Sequence, residues 1–316
     1  VLISGLETDD LDELSAAFSR WDQRFEQLGA GRFFGRLEFA DLGGVQLLCV
    51  EANRVVRTRG SRPAESFVFS PVTPEIAGSY WRGRILSPGM VNVLAPHAEL
   101  DHRTCPDYRT AAIVVRRDLL ERVAATVMGV GLERLLCGDR ALEIGVEQTA
   151  ALAGRFREAM RRLVTPTAGE PSPFTAAVES ENLATRLVST LAHVRVVDPF
   201  RTTCSQRIAA VRRVEDHVRA FPERRFTILQ LCALAGVSKR TLHYAFLEVT
   251  GLTPKDFVKA IKLNAARRDL LAIGPGPGHI EAVARRYGFD RPGNFAADFR
   301  RLFGELPSRT IRQNGR

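Results

Sequence analysis

Six side chains in the run Ser238-Lys239-Arg240-Thr241-Leu242-His243-Tyr244 carry hydrogen-bonding groups at spacings that a helix would gather on one side. An arginine can pair through two parallel bonds with a guanine edge. Histidine and tyrosine can bond base edges or phosphates and pack on thymine methyls. At about 100° per residue, Arg240, His243, Tyr244 and Leu247 fall opposite an apolar stripe of Leu242, Ala245, Phe246 and Val249. Thr241, near the helix start, is placed to bond a phosphate. A second cluster, His97, Glu99, Asp101, His102, Cys105 and Asp107, has the residue types of a metal site. Prolines at 96 and 106 bracket it, so a solvated polar loop is expected and no metal. Neither a Ser-His-Asp order nor a phosphate loop is present, since Gly274-Pro-Gly-Pro-Gly278 lacks the required Lys and Ser/Thr and reads as a spacer.

The polar run needs a frame to hold it. Upstream, Ile228 to Ala235 has the pattern of a short helix, with Thr227 as its cap and Gln230 three residues on in capping-box spacing. Gly236 is the residue type that tolerates a left-handed turn, and Ser238 can cap the next helix. About 51 residues later the pattern returns from Ile280 to Gly304, with a glycine turn at Gly288, a capping Asp290, and Phe295, Phe299 and Leu302 inward. Between the two, Thr253-Pro254 opens a connecting helix to about Leu271. The second unit offers Arg291, Asn294, Arg300 and Arg301, but small residues at Gly293, Ala296 and Ala297. Base specificity is therefore expected from the first unit, and phosphate anchoring from the second.

Thr250-Gly251, Pro254, Phe257, Lys262-Leu263, Ala266-Arg267, Leu270-Leu271, Ala284, Gly288-Phe289, Phe295, Phe299, Phe303-Gly304 and Pro307-Ser308 together resemble the signature of the AraC/XylS family of bacterial transcription regulators. The resemblance covers about 110 residues. It implies two helix-turn-helix units entering successive major-groove segments of double-stranded DNA, a cupin-like sensor domain, a small-molecule effector and contact with RNA polymerase. The family usually has longer polar side chains at the positions of Gly293 and Ala297. Catalytic cupins share an HxH pair, and the 97–107 segment lacks one. More narrowly, Trp21, Phe25, Leu28, Gly31, Phe33, Gly35, Ser238 to Phe246 and Leu263-Asn264-Ala265 resemble the ethanolamine-utilisation operon regulators. That likeness implies a small amine effector, with cobalamin as a second candidate, and no resident cofactor.

Charge separates along the 316-residue chain. Residues 201–316 hold 22 Lys and Arg against 10 Asp and Glu, whereas residues 1–200 hold 23 against 26, giving the net +9. A basic C-terminal third joined to a near-neutral remainder fits a polyanion-binding module fused to something else. The five cysteines (49, 105, 137, 204 and 232) are scattered without a CxxC pair, which points to a reducing compartment. With no apolar run near the ~20 residues that span a bilayer and no signal-like start, a cytoplasmic protein without membrane attachment is expected.

The remaining sequence reads as an α+β multidomain chain. Leu11, Leu14, Phe18, Trp21, Phe25 and Leu28 have the spacing of an amphipathic helix from Asp9 to Leu28. Short Val-, Phe- and Leu-rich segments follow at 32–39, 45–52, 55–59, 66–72, 89–94 and 109–116, separated by Gly, Pro and Asp turns, and predict a small antiparallel β-barrel or sandwich with flanking helices. Helical stretches are expected over 117–128, 147–163 and 174–197. In the last, Val178, Leu183, Leu187, Leu191 and Val194 form a stripe that can pack on the sheet or make a homodimer, with the dimer favoured. The boundaries follow: a sensor domain over 1–128, a helical connector over 129–200, and an all-α DNA-binding domain with two helix-turn-helix units over 201–316, after a linker at 198–205. In the sensor, Phe67, Phe69, Tyr80, Trp81 and Tyr108 are the candidate effector contacts.

Two other functions compete. A ligand-independent activator would use the N-terminal domain only as a dimerisation scaffold. A DNA-alkylation repair protein, some of which carry an AraC-like domain, would need clustered cysteines, and the scattered ones speak against it.

Overall fold

The structure is a computed structural model that describes residues 2–18, 21–61, 65–96, 98–129, 140–164, 172–192, 195–197 and 202–312. It has a sheet-rich N-terminal part and a helical C-terminal part. The chain forms two compact units: unit one holds residues 1–25, 34–53 and 58–199, and unit two holds 26–33, 54–57 and 200–316.

Unit one begins with β1 (Leu2–Thr8) and α1 (Leu11–Ala17). The strands β2 (Gln23–Gln27), β3 (Gly35–Asp41), β4 (Val45–Ala52), β5 (Val56–Gly60) and β6 (Ser66–Pro71) follow, with residues 26–27 of β2 and 56–57 of β5 counted in unit two. After these come β7 (Tyr80–Trp81), β8 (Arg84–Ile85), β9 (Met90–Leu94), β10 (Leu100–Arg103) and β11 (Tyr108–Arg116). Then α2 (Arg117–Met128), β12 (Arg140–Glu143), α3 (Val146–Val164), α4 (Pro173–Leu191) and β13 (Arg195–Val197) complete the order. One sheet runs β1-β3-β4-β11-β6-β9-β12-β13, and a second runs β2-β5-β10-β7-β8. Strand β11 is central: Ile113 faces Leu47 on one neighbour and Phe69 on the other. Its alternating Ala111, Ile113 and Val115 are all but completely buried against Leu119, Leu152, Phe156, Met160 and Leu187 of the three helices. A period-two stripe meeting helical stripes makes one shared core, which is why α3 and α4 cluster with the sheet instead of standing apart as a connector.

Four expectations change here. The helix expected over 9–28 is only α1, capped by Asp10 and ended at Phe18, and Gln23–Gln27 is a strand. The spacing was nevertheless informative, because Phe18 packs edge-on against both Trp21 and Phe25, at 5.8 and 5.6 Å between ring centroids. Aromatic residues suit strands as well as helices, and proximity alone does not fix the backbone. Residues 195–197, expected as helix, form β13 against β12, with Val197 beside Ala141. The 97–107 segment is not a solvated loop, since it contains β10 with Asp101 and His102 buried. His102 sits between the rings of Trp81 and Tyr108, and Glu99 pairs with Arg59 at 2.7 Å, so burial and pairing consume these polar groups. His97 lies outside the described residues. Finally, Leu183, Leu187 and Leu191 of α4 pack into the unit-one core, whereas Val178 of the same expected stripe is 43% exposed; Val194 lies outside the described residues.

Unit two is helical: α5 (Thr202–Ala220), α6 (Ile228–Ala235), α7 (Lys239–Thr250), α8 (Pro254–Ile273), α9 (His279–Arg286), α10 (Pro292–Phe303) and α11 (Pro307–Thr310). Helix α8 has twelve buried residues along its length, among them Lys262, Asn264 and Arg267, so it is the post around which the unit is built. No helix among the described residues is long and apolar enough to cross a membrane.

Candidate nucleic-acid interface

The first helix pair is held by local chemistry at both ends. Thr227 and Gln230 make a full capping box on α6, and Gly236 ends that helix in the left-handed region at φ 67°. Ser238 then accepts from the Thr241 amide at 3.2 Å and starts α7. With Leu242, Ala245, Phe246 and Val249 buried, and Phe246 edge-on to Phe257 at 5.3 Å, the register of α7 is set from within. Lys239, Arg240, His243, Tyr244 and Leu247 are left exposed on its other side. The Arg240 guanidinium lies 5.8 Å from the centre of the Tyr244 ring, and His243 packs edge-on to that ring at 6.1 Å. These three form one contiguous polar and aromatic face. Arg213 donates to the Ala235 carbonyl and Arg207 pairs with Glu248 at 2.9 Å, fastening α5 to the pair.

A ladder of rings builds the second pair. Phe289, Phe295, Phe299 and Phe303 follow one another at 5.1, 5.5 and 4.6 Å. Its cap differs from expectation: Arg291, with no side-chain bond, is the residue before α10, while Asp290 pairs with Arg225. Arg291, Gly293, Asn294, Ala297, Arg300 and Arg301 are exposed. Arg301 is already engaged with Asp298 at 3.2 Å, and Lys259 holds the same carboxylate at 3.1 Å. Arg291 and Arg300 have no ion pair among the described residues, and so their charges are available to an outside anion.

Lys262 joins the turns. Its ammonium donates to the carbonyls of Arg224 at 2.6 Å and Tyr287 at 3.1 Å, and burial pushes its pKa down. The Tyr287 hydroxyl bonds Asp269 at 2.9 Å, and burial, followed by that bond, pushes its pKa up to about 12.

What sequence reading missed in unit two is the strap formed by residues 26–33 and 54–57. The Asn264 side chain and the Gln27 backbone exchange hydrogen bonds at 2.9 and 3.0 Å, as two strands would. The Gln27 side-chain Nε2 lies within 2.6 to 2.8 Å of the carbonyls of Gly29, Gly31 and Leu302, its two N–H groups shared among the three, which ties the strap to the end of α10. Arg57 forms a two-bond fork with Glu215 at 3.2 and 3.1 Å, and both side chains are completely buried. Arg219 meets the same Glu215 at 2.9 Å, and Arg268 reaches the buried Glu26 at 3.4 Å. Asn264 was singled out only by the narrower likeness to the ethanolamine-utilisation regulators. Gln27 and Arg57 carried no signal, because their partners lie more than 150 residues away.

In unit one the five aromatic candidates separate. Phe67 and Phe69 are buried in the sheet-and-helix core. Tyr108 and half-buried Trp81 belong to a smaller cluster with Val72, Ile76 and Leu86, and Tyr80 is 1% exposed. A cleft of about 700 Å³ lies elsewhere in this unit, along β3, β4, β11 and α3, and none of the five lines it. No group of three or more His, Cys, Asp or Glu side chains among the described residues is arranged to hold a metal.

The helix-turn-helix domain family matches residues 231–313, from α6 to just beyond α11. Among curated proteins, the chain is 34% identical over 102 residues to a probable thc operon regulatory protein of Rhodococcus erythropolis, covering 32% of this chain and 31% of that one. It is also 34% identical over 131 residues to XylDLEGF operon transcriptional activator 2 of Pseudomonas putida, covering 41% of this chain and 80% of that protein. The crystal structure of a probable AraC family transcriptional regulator from Rhodopseudomonas palustris shares 40% identity, over 33% of this chain and 96% of that one, with a TM-score of 0.31. The chain spans about a third of the length of the first curated relatives it matches. A basic helical unit with an exposed polar helix face, matched by these regulators, defines a helix-turn-helix DNA-binding protein. The chain belongs to the AraC family of transcription regulators, whose members here are regulators and not enzymes.

Proposed function

We propose that the protein is a sequence-specific transcription activator that reads double-stranded DNA through two helix-turn-helix units, α6–α7 and α9–α10, and answers to a small-molecule effector held by a cupin-like N-terminal unit. It works in the cytoplasm and contacts RNA polymerase. The activating sign rests on relatives named as activators. The observation that carries the reading is the exposed Arg240-His243-Tyr244 face on a helix whose rotation is fixed by four buried apolar residues and a Ser238 cap. Effector binding would act by favouring one of two pre-existing states of the protein. The resemblance to ethanolamine-utilisation regulators points to an effector that carries an amino group.

Selection of bound sequences from random DNA pools at near-physiological salt tests this. A two-part site about one helical turn in spacing is expected, sharp where α7 reads and loose where α10 anchors. Arg240→Ala should cost about 1 to 3 kcal/mol of discrimination at one or two base pairs, and unchanged specificity there would remove α7 as the reader. Arg300→Ala should weaken all sequences alike and reduce the salt slope by about one. Sequence-blind binding lost at modest salt would leave only a polyanion-binding protein.

A second reading, in which the N-terminal unit is a scaffold without a ligand, is favoured by the burial of the aromatic residues expected to line a pocket. A thermal-shift screen of the full chain with small metabolites separates the two readings, since only a sensor gains stability from a ligand.

A further inference from the structure

The cleft in unit one has a floor of β3, β4 and β11 and a wall from the last turns of α3. Most of its charges are already matched. Arg36 bonds Glu38 at 2.7 Å, Arg109 lies 3.7 Å from Glu51, and Arg161 pairs with Glu158 at 2.8 Å. Two opposite charges are left over. Arg157 has no ion pair among the described residues, and Glu75 has none either. We propose that the cleft binds a free amino acid, with its carboxylate on the Arg157 guanidinium and its ammonium on the Glu75 carboxylate.

The two leftover groups lie within electrostatic reach of each other, yet do not approach to ion-pair distance. A gap between opposite charges is what a zwitterion fills. A simple carboxylic acid would satisfy Arg157 alone, and a simple amine Glu75 alone. A phosphate dianion would meet the carboxylates of Glu38 and Glu51 beside the arginines it sought. The remaining chemistry agrees. The Thr73 side chain, and then the Glu75 backbone, bond the Glu75 carboxyl and hold its pKa below the ordinary value, so it is ionised at neutral pH. Burial and then Glu38 push the Cys49 thiol up to about 12, which keeps it neutral and adds only a small soft surface to the floor. Val164 supplies an apolar edge, and about 700 Å³ has room for a ligand side chain as well as its backbone groups.

The site deepens the sensor reading and rests on it, by assigning the effector to this cleft and away from the packed aromatic core. Calorimetry on the full chain at low salt tests it, using each of the common amino acids beside its deaminated acid and its decarboxylated amine. At least one amino acid should bind, with its acid and amine weaker by about tenfold or more. Arg157→Ala and Glu75→Gln should each cost about tenfold, while Arg155→Ala, outside the cleft, should cost nothing. Both substituted groups are exposed, so the variants should keep the wild-type urea melt. Failure of every amino acid to bind, equal binding of the acid or amine, or undiminished binding by the variants would overturn the site. Fluorescence anisotropy with operator DNA tells that failure from the other one. Arg157-dependent binding without any change in DNA affinity keeps the site and removes the sensor.

Discussion

Replacing Arg57 with Ala is expected to destabilise unit two by about 3 kcal/mol or more, a drop of roughly 10 °C in its melting transition. The partner left behind, Glu215, is completely buried, and a buried carboxylate that loses its fork of two bonds retains the full cost of leaving water. Arg219 still reaches Glu215, which places the loss toward the lower end of the range for broken buried pairs. The triple change Arg57→Met, Glu215→Leu and Arg219→Met should recover most of the loss, because Arg219 shares Glu215 and exchanging an entire buried charge group for apolar residues is often close to neutral. The exposed Arg116–Asp118 pair is the control: at 2.6 Å it is shorter, yet both side chains are 53% exposed, and Arg116→Ala should cost under about 1 kcal/mol. Urea melts of the full chain provide the comparison. Equal effects at Arg57 and Arg116 would mean that the strap contributes nothing to unit two.

Gly304→Ala should be nearly as damaging, for a steric reason. Gly304 ends α10 at φ 72°, where a side chain already costs about 1 kcal/mol. A Cβ there would stand 2.5 Å from the Arg32 amide nitrogen and 3.0 Å from its Cα, both of them backbone atoms that cannot turn aside. Strap or helix end must shift, raising the total to roughly 2 to 4 kcal/mol. Gly129→Ala isolates the backbone part, since Gly129 caps α2 at φ 63° with nothing within 4 Å of an added Cβ. A Gly304 variant no worse than the Gly129 variant would show that the strap yields freely.

These two positions mark where sequence reading reached its limit. The exposed polar face of α7 was legible because every determinant is local: Thr227 with Gln230, Gly236 in its left-handed turn, Ser238 as cap, and apolar residues three and four apart. Phe295, Phe299 and Leu302 pointed inward for the same reason. Asp290 failed as a cap because an arginine 65 residues away, Arg225, takes its carboxylate. Strands β4, β6, β9 and β11 could be read from runs of Val, Leu and Phe, whereas β2 and β10 could not. Their apolar residues had helical spacing in one case and polar neighbours in the other, and only tertiary burial decided between the alternatives. The effector candidates show the complementary gap. Aromatic residues in strands mark a core as readily as a pocket, and Arg157 stands out only once its neighbours are seen to be paired with other residues.

The strap also sets an order in time. A ribosome adds roughly 5 to 20 residues per second, so the 275 residues between Gln27 and Leu302 take about 14 to 55 s to appear. Within that interval Arg57 is made 158 residues before Glu215, and Glu26 precedes Arg268 by 242 residues, so the early segments of unit two exist well before their partners do. Closing contacts so distant along the chain is slow, since the entropy of the long loop is lost before the contacts repay it. Unit two is therefore completed last, and a chain released before Leu302 has no carbonyl there for Gln27 to find.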